Sequence, residues 1–376
     1  MTARAPRPTD AGRWMRRALE LARRGEGLTR PNPPVGAVVV RAGRAVGEGW
    51  HRRAGTPHAE VHALRAAGAA AHGADLYVTL EPCCTHGRTP PCTDRIIEAG
   101  IRRVLVSAID PNPRHAGRGL RRLRRAGIVA RAGIRREEGE ALIAPFRSWV
   151  LAGRPRVTLK LAVSLDGRLA DRDGRSRWIS SPASRAAVAD GRRRADAILV
   201  GVDTVIADDP SLQPRPARGR APMRVIVDSR GRTPLRAKVL RTAREARTLI
   251  ATTARCPAAR RRAYLRAGAD VAVLRERKGR VDLRELLAAL GRLDVMSVWC
   301  EGGGRLAASL LEQGLADETL VFVAPLVLGP RGVPAFGGAS PALADAPRLR
   351  VRGTGRSGAD VWIGLEPAKR PRRGGG

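Results

Sequence analysis

The sequence has no apolar run close to the roughly 20 residues that a membrane-spanning helix needs. Val35 to Val40 is among its longer apolar runs, and that length suits only a buried strand. The N-terminus is basic, but no apolar segment follows it. We therefore expect no secretory signal and no association with a membrane.

Cysteine is scarce and unevenly placed. The 376-residue chain has five cysteines, and three of them (Cys83, Cys84 and Cys92) fall within ten positions. An odd number in such a cluster is explained better by metal binding than by a disulfide framework. A reducing, cytoplasmic location is the corresponding expectation.

Lysine is nearly missing, although the formal net charge is +35. Only four of the 70 basic residues are lysine, and the 66 arginines are spread along the whole chain. High positive charge is typical of nucleic-acid-binding proteins, but an even spread of one residue type indicates a compositional bias. We therefore do not expect a nucleic-acid partner, although the positive field favours anionic phosphate substrates.

Length and pattern predict two α/β domains. The length matches two domains of roughly 150 residues each, and 43% hydrophobic residues suffice for two cores. Strands alternate with helices on both sides of Gly153-Arg154-Pro155, which we take as the boundary. We predict one domain at residues 10–147, a second at 154–366, and a disordered basic tail at 367–376.

The most informative feature is a set of potential metal ligands. It consists of three motifs, namely His58-Ala59-Glu60, Glu81-Pro82-Cys83 and Pro91-Cys92. One imidazole, two thiolates and one free carboxylate are the groups that a zinc-dependent deaminase uses. We predict that His58, Cys83 and Cys92 bind Zn²⁺ and leave a fourth position for water. Glu60 would move protons without binding the metal.

Two predicted helices begin at these motifs, one at His58 and one at Cys92. The positive end of a helix dipole lowers the pKa of a thiol and favours the ligating thiolate. Cys84 and His86 are rival ligands in the intervening loop. We prefer Cys83 because it directly follows a Glu-Pro pair, as in other zinc deaminases.

Two alternatives stay open on these residues alone. A zinc deaminase could act on nucleic-acid bases and use the positive surface. A nucleic-acid-binding protein could instead carry a structural zinc, but such a site needs a fourth protein ligand rather than an uncoordinated Glu60. Comparing ammonia release from a pyrimidine with salt-dependent RNA binding separates these alternatives.

The first half resembles a known family over Trp14 to Gly133. The family is the bifunctional riboflavin-biosynthesis diaminohydroxyphosphoribosylaminopyrimidine deaminase / 5-amino-6-(5-phosphoribosylamino)uracil reductase. The matching motifs include Pro31 to Gly36, Gly49-Trp50-His51, Tyr77 to Cys83 and Asp110 to Pro113, and eight residues separate Cys83 from Cys92. The resemblance implies a cytidine-deaminase-like α/β/α sandwich, in which Asn32 and His51 line the substrate pocket.

The second half contains a glycine-rich turn, Cys300 to Arg305, between a predicted strand and a predicted helix. Such a turn lets backbone amides approach a phosphate, although its spacing is not that of the Rossmann fingerprint. Arg154 to Gly329 resembles the reductase half of the same family, through Ser164 to Arg168, Ser176 to Ser180 and Asp208 to Leu212. This implies a dihydrofolate-reductase-like α/β domain that uses NADPH.

The same resemblance implies the ligand contacts of the second half. Contacts to NADPH are implied for Ala162, Trp178, Thr204, Asp208, Ser229, Gly303, Gly304, Arg305, Leu306, Ala307, Ala308 and Ser309. Contacts to the substrate are implied for Ser176, Arg192, Leu212, Arg215 and Glu301. We expect Arg192 and Arg215 to hold a sugar phosphate through bidentate hydrogen bonds. Arg230 and Arg232 are candidates for a cofactor 2′-phosphate, and the choice between NADPH and NADH stays open.

The predicted function is therefore that of a bifunctional enzyme. It would deaminate 2,5-diamino-6-(5-phosphoribosylamino)pyrimidin-4-one and then reduce the ribosyl group to a ribityl chain. We expect a homo-oligomer acting on this small phosphoribosyl pyrimidine. One departure from the family pattern concerns stability, because Gly191 lies inside a predicted helix, where glycine costs about 1 kcal/mol relative to alanine.

Overall fold

The computed structural model describes residues 8–86, 90–214, 220–338 and 341–368. The chain divides into two compact units, residues 1–153 and 154–376. Within the described ranges, no helix has the length and hydropathy to cross a membrane. The disordered tail predicted at residues 367–376 begins too early, because Pro367 is the last residue of a strand. Residues 369–376 of that tail lie outside the described residues.

The first unit contains one mixed sheet with helices on both faces. Its strands are β1 (Gly36–Arg41), β2 (Arg44–Trp50), β3 (Asp75–Leu80), β4 (Arg103–Ala108) and β5 (Val129–Ala132). Its helices are α1 (Pro8–Arg23), α2 (Ala59–Ala67), α3 (Cys92–Glu98), α4 (Arg118–Arg125), α5 (Arg136–Leu142) and α6 (Ala144–Ala152). The sheet order is β2-β1-β3-β4-β5, in which β3, β4 and β5 run parallel and β1 is antiparallel to both neighbours.

Alternation along the strands builds a core on each face of this sheet, because successive side chains point to opposite sides. Val39 and Val78 pack with α2, α3 and α4 on one face. Val38 and Tyr77 pack with α1 on the other. The predicted α/β/α sandwich is therefore confirmed.

Two glycines of β2 bring α2 against the sheet. A Cβ atom on Gly47 would lie 2.2 Å from the carbonyl oxygen of Ala63, and one on Gly49 would lie 2.4 Å from that of Ala59. These neighbours are helix backbone, so a larger residue would push α2 away. The beginning of α2, with His58 as its N-cap residue, is thereby held against the edge of the sheet.

The second unit is built on a larger sheet. Its strands are β6 (Arg156–Ser164), β7 (Arg168–Ala170), β8 (Ala197–Gly201), β9 (Met223–Val227), β10 (Thr248–Thr252), β11 (Asp270–Val273), β12 (Glu276–Arg277), β13 (Arg280–Val281), β14 (Ser297–Cys300), β15 (Glu318–Ala324), β16 (Val333–Pro334), β17 (Leu349–Ser357) and β18 (Asp360–Pro367). Its helices are α7 (Pro182–Arg194), α8 (Val202–Asp208), α9 (Lys238–Arg241), α10 (Ala258–Arg266), α11 (Leu283–Arg292) and α12 (Gly304–Glu312).

Nine of these strands form one sheet in the order β11-β10-β9-β8-β14-β6-β15-β18-β17. The first seven run parallel, β18 is antiparallel to β15, and β17 is antiparallel to β18 at the edge of the sheet. The strands β12 and β13 form a separate small hairpin, and β7 pairs with β16. Parallel strands place their carboxyl ends at one edge, where ligands of open α/β sheets bind.

Gly191 has a packing role in α7. The helix begins at Ser181, whose side chain accepts a hydrogen bond from the Ser184 amide. A Cβ atom on Gly191 would lie 2.5 Å from the indole ring of Trp299. The unfavourable helix propensity is thus offset by close packing of α7 on β14.

Candidate active sites

Three side chains with metal-ligand chemistry converge in the first unit. The Nδ1 atom of His58 lies 3.2 Å from the Cys92 Sγ and 3.6 Å from the Cys83 Sγ, and one ligand atom from each residue lies within 4.8 Å of the others. Bonds of about 2.0–2.1 Å to nitrogen and 2.3 Å to sulfur put the ligands of a tetrahedral zinc roughly 3.5 Å apart. The donor atoms and their spacing therefore fit Zn²⁺. No second such group of three occurs among the described residues.

Cys83 follows strand β3, and Cys92 is the first residue of α3. The backbone amide of Cys92 donates to the Cys83 sulfur at 3.3 Å. Hydrogen bonding from the Cys92 thiol, with that from His58, lowers the pKa of Cys83. Because the ligating form of cysteine is the thiolate, metal binding here would release protons from these two thiols.

The rival ligands lie outside this cluster. Burial raises the pKa of the Cys84 thiol, in contrast to that of Cys83. His86 is exposed to solvent. Neither residue joins the group formed by the other three side chains.

Glu60, the second residue of α2, is buried beside these ligands with 3% of its surface exposed. Its Oε2 atom has no hydrogen-bond partner among the described residues. Burial raises the pKa of this carboxyl. A buried carboxylate oxygen without a partner is rare in folded proteins and needs an explanation beyond packing.

Asn32 and His51 meet next to His58. The Asn32 Nδ2 lies 3.1 Å from the His51 Nε2, and the His51 Nδ1 lies 3.2 Å from the carbonyl oxygen of Pro57. Because that carbonyl can only accept, we assign the ring proton to Nδ1 and the acceptor role to Nε2. Burial lowers the pKa of His51 to about 4, so the ring is neutral at pH 7.

Glu81, which the sequence analysis treated only as part of a motif, anchors the segment before Cys83. Its Oε2 accepts hydrogen bonds from the amides of Asp110 (3.3 Å) and Gly117 (2.8 Å), and its Oε1 accepts one from Leu120 (3.1 Å). The residue is 5% exposed. A carboxylate with two backbone donors at the start of α4 and a third at Asp110 fixes the loop that delivers the metal ligand.

Helix α4 also contacts the segment that begins with Cys92. Arg122 forms an ion pair of 2.6 Å with Asp94, two residues after Cys92. Its guanidinium also lies 3.5 Å from the carbonyl oxygen of Cys84. Through Glu81 and Arg122, one helix therefore holds both cysteine-bearing segments.

A cavity of about 1850 Å³ lies in the second unit. It is lined by nearly all residues that the resemblance implied for the reductase: Ala162, Ser176, Trp178, Arg192, Thr204, Asp208, Leu212, Ser229, Glu301, Gly303, Gly304, Arg305, Leu306, Ala308 and Ser309. Ala307 does not line it, because its position on α12 points into the hydrophobic core. Arg215 lies outside the described residues.

The glycine-rich turn brings backbone amides to this cavity. Gly303 is the N-cap residue of α12, and a Cβ atom there would meet only the Thr204 hydroxyl, at 3.5 Å. A Cβ atom on Gly304 would lie 2.6 Å from the carbonyl oxygen of Pro334. The turn thus leaves the helix N-terminus open on the cavity side, which favours an anionic group.

Arg192 forms an ion pair with another residue of the protein. Its guanidinium donates to both carboxylate oxygens of Glu301 at 2.5 Å, and the Trp299 indole donates to Glu301 at 2.9 Å. Burial opposes ionisation of Glu301, but Arg192 and nearby Lys160 keep the pKa of that carboxyl below its usual value. Burial also lowers the pKa of Lys160. The Arg192 guanidinium, which we expected to hold a phosphate, is therefore already bound to the carboxylate of Glu301.

Ser176 and Leu212, which were also predicted to contact the substrate, have different environments. The Ser176 hydroxyl lies 3.1 Å from a carboxylate oxygen of Asp208, so these two residues act together. Leu212 is 2% exposed and has a φ angle of +53°, which is unusual for a leucine. Its side chain packs in the core beside β8 and β9, so only its backbone is available to the cavity.

Comparison with known proteins gives a consistent result for both units. Residues 8–108 match the family model for the cytidine and deoxycytidylate deaminase zinc-binding region, and residues 155–363 match that for the RibD C-terminal domain. The riboflavin biosynthesis protein RibD of Escherichia coli (strain K12) is 44% identical over 376 residues, covering 94% of this chain and 98% of that protein.

Solved structures agree over nearly the whole chain. One form of Acinetobacter baumannii RibD superposes with a TM-score of 0.87 at 37% identity, covering 96% of this chain and 100% of that one. The diaminohydroxyphosphoribosylaminopyrimidine deaminase / 5-amino-6-(5-phosphoribosylamino)uracil reductase of Thermotoga maritima has a TM-score of 0.85 at 35% identity, covering 96% and 99%.

Proposed function

The chain belongs to the RibD family of bifunctional riboflavin-biosynthesis enzymes, and from this premise we propose which residues perform each of its two activities. It is a deaminase and a reductase, with a zinc-binding deaminase region in its first unit. We propose that the first unit removes the 2-amine of 2,5-diamino-6-(5-phosphoribosylamino)pyrimidin-4-one. The second unit then reduces the ribosyl group to a ribityl chain with NADPH.

In the first unit His58, Cys83 and Cys92 hold Zn²⁺. When bound, zinc supplies a Lewis acid that makes a water molecule acidic near neutral pH. Glu60 would move two protons in turn: one from the attacking water to the pyrimidine ring, and a second from the resulting hydroxyl group to the amine, which then leaves as ammonia. The Oε2 atom of Glu60 supports this role, because no donor in the part of the chain that the structure describes binds it.

Asn32 and His51 orient the pyrimidine. The neutral His51 ring holds the Asn32 amide through its Nε2. This contact leaves the Asn32 carbonyl oxygen and its second N–H to recognise a donor and an acceptor on the base. Recognition by paired hydrogen bonds explains how a small polar ring is held without a charge.

In the second unit the cavity residues orient cofactor and sugar. NADPH supplies the hydride when it is bound. Gly303 and Gly304 present amides to its pyrophosphate, and Trp178 offers an aromatic face. We assign Lys160 and Asp208 as candidates for moving a proton at the opened sugar, because both line the same cavity.

The observation that carries the proposal is the convergence of three ligands beside Glu60, whose Oε2 atom has no hydrogen-bond partner among the described residues. The test is a coupled assay on purified protein, with zinc analysis of the same sample. Ammonia should be released from the diaminopyrimidine without NADPH, and NADPH should be oxidised only after deamination. Ammonia release from RNA or from free bases instead, or NADPH oxidation that precedes deamination, would contradict the proposal.

A further inference from the structure

We propose that the turn of the β17–β18 hairpin holds Trp178 in place for the reductase, and that Asp360 is the positioning residue. The inference rests on the proposed contact of Trp178 with NADPH and adds the group that fixes this aromatic ring. Asp360 begins β18 and lies 179 residues after Ser181, the residue that it binds. It is not among the described residues that line the cavity. Its effect on the cofactor would therefore act through residues 176–181, here called the cavity segment.

The Trp178 ring is held only weakly by its own surroundings. Trp178 lines the cavity, but 69% of its surface is exposed, so burial contributes little to its position. The Arg185 guanidinium lies over the ring, 4.6 Å from its centroid, and it also donates to the carbonyl oxygen of Ser180 at 2.5 Å. A cation–π contact at an exposed site is weak. The position of the ring therefore depends on how the backbone of the cavity segment is held.

The cavity segment is held at both ends by hydrogen bonds. At its first residue, the Ser176 hydroxyl lies 3.1 Å from a carboxylate oxygen of Asp208. At its last residue, the Ser181 amide donates to the Asp360 Oδ2 at 2.7 Å. The Ser181 hydroxyl also donates to the carbonyl oxygen of Ser357 at 2.7 Å. The second end is thus bound to the hairpin turn, since Ser357 and Asp360 pair across it.

The chemistry of Asp360 suits this position. The residue is 1% exposed, and a carboxylate so deeply buried needs hydrogen-bond donors. A backbone N–H that donates to a carboxylate forms one of the stronger hydrogen bonds in proteins. Ser181 is the N-cap residue of the 13-residue helix α7, and negative charge is favourable at a helix N-terminus. Asp360 therefore stabilises the junction between the cavity segment and α7.

Close packing keeps the turn in register with α7. Gly358 has a φ angle of +64°, which favours glycine. A Cβ atom there would lie 3.0 Å from the Ser181 Oγ and 3.2 Å from the Ala183 Cβ. Farther along β18, Trp362 packs against the cluster that contains Val188 of α7. The hairpin thus contacts α7 at its beginning and near its middle, so the turn cannot shift without moving the end of the cavity segment.

The test is a double-mutant cycle on the full-length protein. The dissociation constant of NADPH is measured by calorimetry, without pyrimidine substrate, for wild type, D360A, W178A and D360A/W178A. Each single variant should raise that constant about fivefold to tenfold, the contribution of one aromatic contact. If Asp360 acts through Trp178, D360A should add less than about twofold once the ring is gone, whereas independent effects add.

Two further variants separate positioning from a general loss of hairpin stability. Glu366 also belongs to β18, at the end away from the turn, and forms an ion pair with Arg352 at 3.2 Å. E366A removes a carboxylate from the same strand without touching the cavity segment, so NADPH binding should change less than about twofold. D360N keeps an acceptor oxygen for the Ser181 amide and should weaken NADPH binding less than D360A does.

Unchanged NADPH binding in D360A or W178A, equal weakening in D360A and E366A, or additive losses in D360A/W178A overturns the inference and leaves the reductase assignment intact. Weaker binding by D360N than by D360A also contradicts it. Failure of the wild-type protein to bind NADPH overturns the reductase assignment as well. If D360A does not fold, as judged by circular dichroism, D360S replaces it in both backgrounds, with the same expected and contradicting results.

Discussion

At the residue scale, the adjacent cysteines Cys83 and Cys84 have opposite environments. Hydrogen bonds lower the pKa of one thiol, and burial raises the pKa of the other. We predict that C83S loses zinc on dialysis against a chelator, whereas C84S retains it, because only the first removes a sulfur from the converging set. Zinc per chain, measured by mass spectrometry, checks this. Equal retention by both variants would contradict the ligand assignment.

The Arg192–Glu301 pair gives a residue-scale prediction for the reductase. R192A leaves the carboxylate of Glu301 without its bidentate partner inside the cavity. We expect kcat/KM for NADPH oxidation to fall roughly tenfold to a hundredfold, since hydrogen bonds to charged groups contribute about 1.5–3 kcal/mol. Ammonia release should be unchanged, because Arg192 belongs to the second unit. Unaltered reductase kinetics would show that this pair does not contribute to the reductase activity.

At the element scale, α4 holds both cysteine-bearing segments through Glu81 and Arg122. E81Q replaces one acceptor oxygen by a donor that faces backbone N–H groups, so the loop before Cys83 should loosen. Residues that orient metal ligands typically contribute about 10–100-fold to metal affinity. We expect zinc transfer to a colorimetric chelator to become about tenfold faster or more.

The control for this prediction is E98Q. Glu98 is an exposed residue of α3 that forms an ion pair with Arg95 at 3.0 Å. Its loss should leave zinc release unchanged, since such surface pairs contribute little. Equal zinc release from E81Q and wild type would show that α4 does not position the ligand loop.

Two glycines in helix interiors should respond to alanine with opposite signs. Alanine at Gly191 gains about 1 kcal/mol of helix propensity, but its Cβ would lie 2.5 Å from the buried Trp299 ring. Overpacking of this kind typically costs about 1–3 kcal/mol. Gly12 in α1 has no atom within 4 Å of such a Cβ. We expect G191A to lower and G12A to raise the midpoint of urea unfolding; a stabilised G191A would contradict the packing explanation.

The sequence predicted those elements whose apolar pattern is regular. The strand expected at Val35 to Val40 and the helices expected to begin at His58 and Cys92 are found within a residue of those positions. The pair Asp282 and Glu285 has the spacing of a capping box at the start of α11. Asp282 does cap the helix, but the Glu285 carboxylate accepts from the Arg275 amide instead.

Other elements gave no usable pattern. The segment Leu349–Ser357 alternates arginine, glycine and small residues, and it forms β17 because it pairs with β18 rather than because one face is apolar. Helices α5 and α6 were missed because Gly139 and Pro145 interrupt the pattern. A Cβ on Gly139 would lie 2.2 Å from the Ser107 hydroxyl, so tertiary contact dictates that glycine.

The same limit applies to the sites. The ligands and Glu60 could be read from the sequence because residue type and order encode their chemistry. Features that depend on tertiary contact could not be predicted from the sequence. They include the ion pair between Arg192 and Glu301, the burial of Ala307, and the position of the β12–β13 hairpin next to Ser229. The Lys278-Gly279 turn between charged residues was the only local signal for that hairpin.

At the scale of the whole molecule, each unit has hydrophobic clusters of its own. The clusters around β1 to β5 contain only residues of the first unit, and those around β6 to β15 contain only residues of the second. Removal of zinc should therefore abolish ammonia release and leave NADPH binding within about twofold of the untreated protein, because a metal site affects mainly the core that surrounds it. Calorimetric titration of the metal-free protein checks this, and loss of nucleotide binding would contradict the independence of the two activities.

The central claim is that three side chains hold the metal while Glu60 remains free to move protons. Its most direct test is to measure zinc content and ammonia release on one preparation of E60Q. We predict zinc equal to that of the wild type, with turnover reduced about 10²–10⁴-fold, the usual contribution of a positioned acid or base. Loss of zinc in E60Q, or ammonia release at the wild-type rate, would contradict this account.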